Sequence, residues 1–239
     1  MKKVKKINYI LFLLISIILF TSCSQIPSDL VKARKLAGKG DLESKMKARE
    51  IFIKYKDTDM GARGDLKLVN KTIGEIYYWD RNFKEALRFF RESLDIDPNQ
   101  AIVHYYLGVC YANLYSSEIV NIRKDDYRDL TRFHYERAIS LQPELEQAYY
   151  GLAMYYYKID NDHFKALEIL EKLLSINPEH IEALYVKRQI VYIDGDVQEA
   201  LNITLEIQKI LSSQKLQKND TRPENIIKDI ERLKKELEG

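Results

Sequence analysis

"NKTIGEIYYWDRNFKEALRFFRESLDIDP", residues 70–98, decides the fold. An aromatic-rich segment ends near Trp79, a polar turn follows at 80–82, a second amphipathic segment runs on from Phe83, and Pro98 closes the stretch. Proline has no N–H to give a helix and disfavours helix in the residue before it, so the second segment must stop there. The same order returns in "HYYLGVCYANL" (104–114) with "FHYERAISLQP" (133–143), and again in "YYGLAMYYYKIDNDHFKALEILEKLLSINP" (149–178). A single helical pair cannot bury its apolar face. Stacked pairs make a continuous core, and about three are needed.

The rest of the composition agrees. Nine glycines and five prolines in 239 residues, with Lys, Glu, Leu, Ile and Tyr abundant, suit a helical chain with short turns. The repeating unit resembles the tetratricopeptide repeat, a helix–turn–helix module. In the first clear unit, 67–100, Ile73, Gly74, Tyr77, Ala86, Phe90 and Pro98 stand at that family's signature positions, with Ser93 in place of a second alanine. In the second, 101–145, Leu107, Gly108, Tyr111, Tyr135, Ala138 and Pro143 match, around an insertion within 115–131. The third, 146–180, carries Leu152, Ala153, Tyr156, Ala166, Leu170 and Pro178. The fourth, 181–212, keeps Ala200 and the "DGD" turn but has Lys187 and Arg188 where the Leu-Gly pair belongs. The resemblance implies an all-α fold, a short right-handed α-solenoid. Residues 29–66 are expected to form a degenerate helical pair, linked to the array by "DTDMGARGD". Residues 213–239 are expected to form a capping helix with Ile226, Ile230, Leu233 and Leu237 on one stripe.

The small residues 74, 108 and 153, and Ala86, Ala166 and Ala200 opposite, let paired helices approach closely. Tyr77, Tyr111, Tyr156 and Val191 should pack within repeats, and Ile76, Cys110, Tyr155 and Ile190 between them. Cys110 is then a small buried hydrophobe. In the family the first helices line a concave groove. Here its positions would hold Tyr78, Trp79, Tyr105, Val109, Tyr150, Met154, Tyr157, Tyr185 and Tyr192. The core does not require those aromatic rows, and an apolar surface with hydroxyl tips suits a bound peptide, helix or lipid-like ligand. Two competing readings remain: the chain's own C-terminal helix or insertion fills the groove, or tight curvature packs the rows together.

Residues 1–22 read as a signal peptide: "MKKVKK" is basic, and "INYILFLLISIILF" is an uncharged run of 14 residues, shorter than the roughly 20 a span needs. "LFTSC" then resembles a bacterial lipobox with Phe20 where Leu is preferred, which implies lipidation of Cys23 and a short tether over 23–28. Ordinary cleavage nearby or an uncleaved anchor is the competing reading. The full chain is formally +2, but Lys2, Lys3, Lys5 and Lys6 lie in the leader; without them 34 basic residues face 36 acidic ones, a net of −2. Bulk charge therefore gives no support for nucleic-acid binding.

Catalytic signatures are missing from the sequence. No histidine falls in an HExxH spacing, and there is no P-loop, GxGxxG or GxSxG. His134 and His163 are placed near helix starts and His104 in a core-facing row, so all four histidines, His180 included, read as structural or solvent-exposed. The Asp-rich triplets lack the other ligands of a calcium loop. The expectation is a non-catalytic lipoprotein with no cofactor or metal, facing the periplasm. Ser24 after the cysteine favours the outer over the inner membrane. Its partner would be an envelope protein or peptide in the aromatic groove. The alternative is an accessory lipoprotein of a solute transporter that handles a small, partly apolar ligand.

Overall fold

The computed structural model describes residues 26–117, 121–213 and 221–238. All regular structure among them is helical, in eleven helices. Cys23 and the expected signal peptide, residues 1–22, lie outside the described residues. The chain divides into two compact units, Met1–Ile73 and Gly74–Gly239.

The first unit contains α1 (Ser28–Ala37), α2 (Leu42–Tyr55) and α3 (Met60–Trp79) as far as Ile73. Leu30, Ala33, Ala48, Phe52, Ala62, Leu66 and Val69 are buried in it. Asp41 caps α2 by accepting the Ser44 N–H at 2.7 Å, and that bond holds its carboxyl below the usual range. The stretch expected to link pair and array is mostly helix instead. Asp59 accepts the Ala62 N–H at 2.7 Å and starts α3, so "MGARGD" forms its first turns despite two glycines. Ala62 faces the core, and Asp65 pairs with Arg34 of α1 at 2.7 Å. Tertiary contact thus overrides glycine's poor helix propensity. The division between units falls inside α3, at 73/74.

The second unit holds the end of α3, then α4 (Phe83–Leu94), α5 (Ala101–Ser117), α6 (Asn121–Leu141), α7 (Glu146–Lys158), α8 (His163–Ile176), α9 (Ile181–Ile193), α10 (Val197–Ser213) and α11 (Arg222–Glu238). Each helix from α4 onward packs on the next, and α5 also touches α7. Three turns share one construction. Arg81, Asn161 and Gly195 have φ of 58°, 52° and 92°, and the next residue closes back on the first helix: Asn82 N–H to the Tyr77 carbonyl (2.8 Å), Asp162 to Tyr156 (2.8 Å), Asp196 to Val191 (3.1 Å). The same Asn82, Asp162 and Asp196 then cap the following helix through Glu85, Lys165 and Glu199 N–H groups. Pro98, Pro143 and Pro178 lie past the ends of α4, α6 and α8; α10, with no such proline, runs for 17 residues.

Ala86, Ala138, Ala153, Ala166 and Ala200 are fully buried at the helix seams. A Cβ on Gly74 would lie 2.7 Å from the Phe90 ring; on Gly108 and Gly151 it would meet the Tyr135 ring at 2.7 and 2.5 Å. Tyr135 is therefore wedged against two helices that come close only because both present glycine. What is described of 115–131 is helical and takes α5 and α6 to 17 and 21 residues. Tyr127, at the edge of the extension, and Leu130 pack on the cluster around Leu87, Phe90 and Leu114. The last helix, α11, buries Ile226, Ile230 and Leu233 on α9–α10 and leaves Leu237 exposed.

Candidate binding face

The first helices of the repeats bring most of the expected groove residues to one side of their own pairs, but not all nine remain available. Trp79 is 72% exposed and stands edge-on to Tyr78 at 5.1 Å. Tyr78 meets Tyr106 of α5 at 5.0 Å, Tyr106 meets Tyr105 at 5.4 Å, and Tyr105 meets Tyr135 at 6.3 Å. An aromatic ladder thus runs from Trp79 across α5 to α6. Burial pushes the Tyr105 phenol up to about 12, so its hydroxyl remains a neutral donor and acceptor at any physiological pH. Tyr106 was not among the expected groove residues; its ring stacks on Phe90 at 5.2 Å and joins the core row to the exposed one.

Further along, Tyr150 is half-buried and stacks on His180 at 5.6 Å. Val109 and Met154 are half-buried beside the Tyr135–Tyr155 cluster. Tyr185 is half-buried under the Arg188 guanidinium, 5.4 Å from its ring centre. Two expectations need correction. Tyr157 is only 7% exposed: its ring packs on His163 at 5.6 Å and carries the Lys158 ammonium at 4.0 Å. His163, at the start of α8, lies over it, so Tyr157 belongs to the core. Tyr192 is engaged by the chain's own last helix, with its hydroxyl donating to Glu236 (3.2 Å) and Arg232 over its ring at 4.9 Å. What remains open is Trp79, Tyr78, Tyr105 and Tyr150 with their apolar neighbours.

Histidines supply what sequence reasoning missed. His134 is not near a helix start: it is buried well inside α6, at the place Phe89 holds in α4 and Ile169 in α8. Its Nδ1 lies 2.9 Å from Nδ1 of buried His104, whose Nε2 is 3.0 Å from the Pro98 carbonyl. A carbonyl only accepts, so His104 Nε2–H donates to Pro98, His104 Nδ1 accepts, and His134 Nδ1–H donates to it. Both rings are neutral in this arrangement. Burial lowers both, and His134 falls to about 3. The spacing of 30 residues between them carries no local sequence signal. His180 accepts the Ala183 N–H at 3.2 Å and caps α9, and His163 sits 2.7 Å from Asp194. Cys110 is fully buried, and burial raises its thiol to about 12, which keeps it protonated and unreactive. Among the described residues no three His, Cys, Asp or Glu side chains are grouped to hold a metal, and no helix is long and apolar enough to cross a membrane.

A sequence model of the tetratricopeptide repeat matches residues 147–180. A "TPR repeat-containing protein" of Borreliella burgdorferi is 31% identical over 120 residues, covering 44% of this chain and 50% of the relative. "Tetratricopeptide repeat protein 37" of Xenopus laevis is 27% identical over 130 residues, 54% of this chain but 8% of the relative. The chain thus spans half or less of these relatives. Among solved structures, MamA from Desulfovibrio magneticus RS-1 superposes with a TM-score of 0.61 at 16% identity, covering 80% of this chain and 100% of that one. YrrB, "a TPR protein with an unusual peptide-binding site", gives 0.56 at 17% identity, covering 84% and 97%. At such identities the two structures speak to the fold alone.

Proposed function

Since the chain is a tetratricopeptide repeat protein, we propose that it works as a non-catalytic scaffold or assembly factor of a bacterial envelope, held to a membrane by lipid on Cys23 and binding a protein or peptide partner through its aromatic face. One observation carries the binding claim: the ladder from Trp79 through Tyr78 and Tyr106 to Tyr105, which leaves a large ring in solvent with hydroxyl groups behind it. Large, stiff rings with polar tips give much contact area for little lost side-chain entropy, which is why they dominate the energetic centres of interfaces. YrrB's described peptide-binding site is a parallel for this reading. Transport of a small, partly apolar ligand would need Tyr105, Tyr150, Tyr157 and Tyr185 to enclose it, and Tyr157 is withdrawn into the core.

Photo-crosslinking tests the face. A crosslinker placed at Trp79 and, separately, at Tyr150 should capture one common protein from envelope membranes, and one placed at Phe164, exposed on α8, should not. Capture of the same set from all three positions would remove the face from consideration. The anchor is tested by metabolic labelling with palmitate: the wild type should take up label and Cys23→Ala should not.

A further inference from the structure

The insertion that lengthens the α5–α6 hairpin also builds a cleft against α4. Two cavities of about 510 and 490 Å³ lie along it and share Lys84 and Leu114. Leu87, Leu114, Tyr111 and Tyr127 line the second and supply its apolar wall. Four cations border the pair of cavities, Arg81, Lys84, Arg88 and Arg91, against one carboxylate, Glu92. This concentration stands out in a chain whose formal net charge is only +2.

The cations are not equally engaged. Arg88 sits 2.7 Å from Glu85 and 3.9 Å from Glu92, with its guanidinium over the Phe89 ring. Arg91 donates to the Tyr111 hydroxyl, which fixes it at the wall of the cavity. Arg81 and Lys84 are exposed and have no carboxylate partner among the described residues. The site therefore offers two uncommitted positive charges, a third held in place, and an apolar wall between them.

We propose that this cleft binds an acidic peptide segment in extended form. A free anion would use the charges but leave Leu87 and Leu114 uncovered. A bilayer surface cannot enter a concave site. An extended chain alternates its side chains, so carboxylates can reach Lys84, Arg81 and Arg91 while an apolar residue between them covers the leucines. The long hairpin then has a role: without the extension Tyr127 would not be there to close the cavity.

The probe is a fluorescein-labelled octapeptide alternating Glu with Leu, read by anisotropy on the soluble chain, beside the same peptide with Gln for Glu. The acidic peptide should bind and the Gln peptide should not, and affinity should fall roughly tenfold between about 50 and about 300 mM salt. Arg81→Glu with Lys84→Glu should weaken it by at least about tenfold, since both charges are reversed where the peptide's carboxylates sit. Lys234→Glu with Lys235→Glu on α11 makes the same change in net charge elsewhere and should leave binding intact. Arg81 and Lys84 are exposed, so unchanged thermal melting will show that the fold survives. Equal binding of the Gln peptide, an unaffected Arg81→Glu/Lys84→Glu variant, or no binding of the acidic peptide would each overturn the proposal. So would binding of phosphatidylglycerol vesicles that depends on Arg81 and Lys84 while the peptide fails.

Discussion

Helix pairs α5–α6 and α7–α8 share a register, with Leu107 and Tyr111 in one matched by Leu152 and Tyr156 in the other, and differ at their turn. The first pair has 17 and 21 residues, the second 13 and 14. In α7–α8 the turn is set by Asn161 in the left-handed region and Asp162 capping α8, and the buried side chains are apolar or tyrosine. In α5–α6 the helices run on past that point, and His104, Thr131 and His134 are buried between them. The seam that stacks one repeat on the next is untouched. A repeat can therefore grow at its turn edge, provided every polar group it buries finds a partner. Here His134 donates to His104, His104 to Pro98, and Thr131 to the Tyr127 carbonyl at 2.7 Å.

The largest test of that comparison is at the seam. Gly108 and Gly151 both press on the Tyr135 ring, whereas α7 already has Ala153 where α5 has Gly108. Gly151→Ala should destabilise by about 1–3 kcal/mol, because a methyl group would be forced to 2.5 Å from a ring that cannot retreat. Gly151→Ala combined with Tyr135→Leu should cost less than the two single changes added, since the smaller side chain relieves the clash. Ala153→Gly should cost only about 0.5–1 kcal/mol. Urea unfolding midpoints measure all four. Strict additivity of the pair would mean that the ring is not wedged.

Acid should separate the two pairs next. The folded protein keeps His134 neutral down to about 3, while the unfolded chain protonates it in the ordinary histidine range. Between those values the unfolded state binds the extra proton, so stability rises with pH and is fully present only above about 6.5. The slope is about 1.4 kcal/mol per pH unit for one imidazole, or about 2 kcal/mol lost from pH 6.5 to 5. His104, lowered in the same direction by burial, adds to it. His134→Gln should flatten this part of the profile. A wild type and variant that lose stability in parallel between pH 7 and 5 would show that the pair does not resist protonation.

How much of this was readable in advance depended on distance along the chain. Helix pairs, turns and proline stops rest on residues a few positions apart, and the pattern in 70–98 contains them all. The burial of Ala86, Ala166 and Cys110 follows from the same register. The binding face was legible only in its rows. Register gives Tyr78, Tyr157 and Tyr192 one direction, yet the first is half-buried, the second is roofed by His163, and the third is held by Glu236 of α11. Those neighbours come from the start of the following helix and from a helix 44 residues away, neither of which periodicity reports. The helical start of α3 was hidden by its two glycines, and the histidine pair by the 30 residues between its members.

The smallest test concerns the turns themselves. Arg81, Asn161 and Gly195 occupy the same left-handed place in three repeats, with three different costs. A side chain other than Gly or Asn pays roughly 1–2 kcal/mol there, because its Cβ approaches the following carbonyl. Arg81→Gly removes that strain but adds freedom to the unfolded chain worth about 0.5–1 kcal/mol, so a net gain of at most about 1 kcal/mol is expected. Asn161→Gly should be nearly neutral, since Asn already tolerates the conformation. Gly195→Ala should lose about 1 kcal/mol, for no neighbour lies within 4 Å of the added methyl and the backbone alone resists it. Thermal melting of the three variants should therefore rank Arg81→Gly highest, Asn161→Gly unchanged and Gly195→Ala lowest. A drop for Arg81→Gly would mean that the arginine side chain contributes more at the cleft than its backbone costs at the turn.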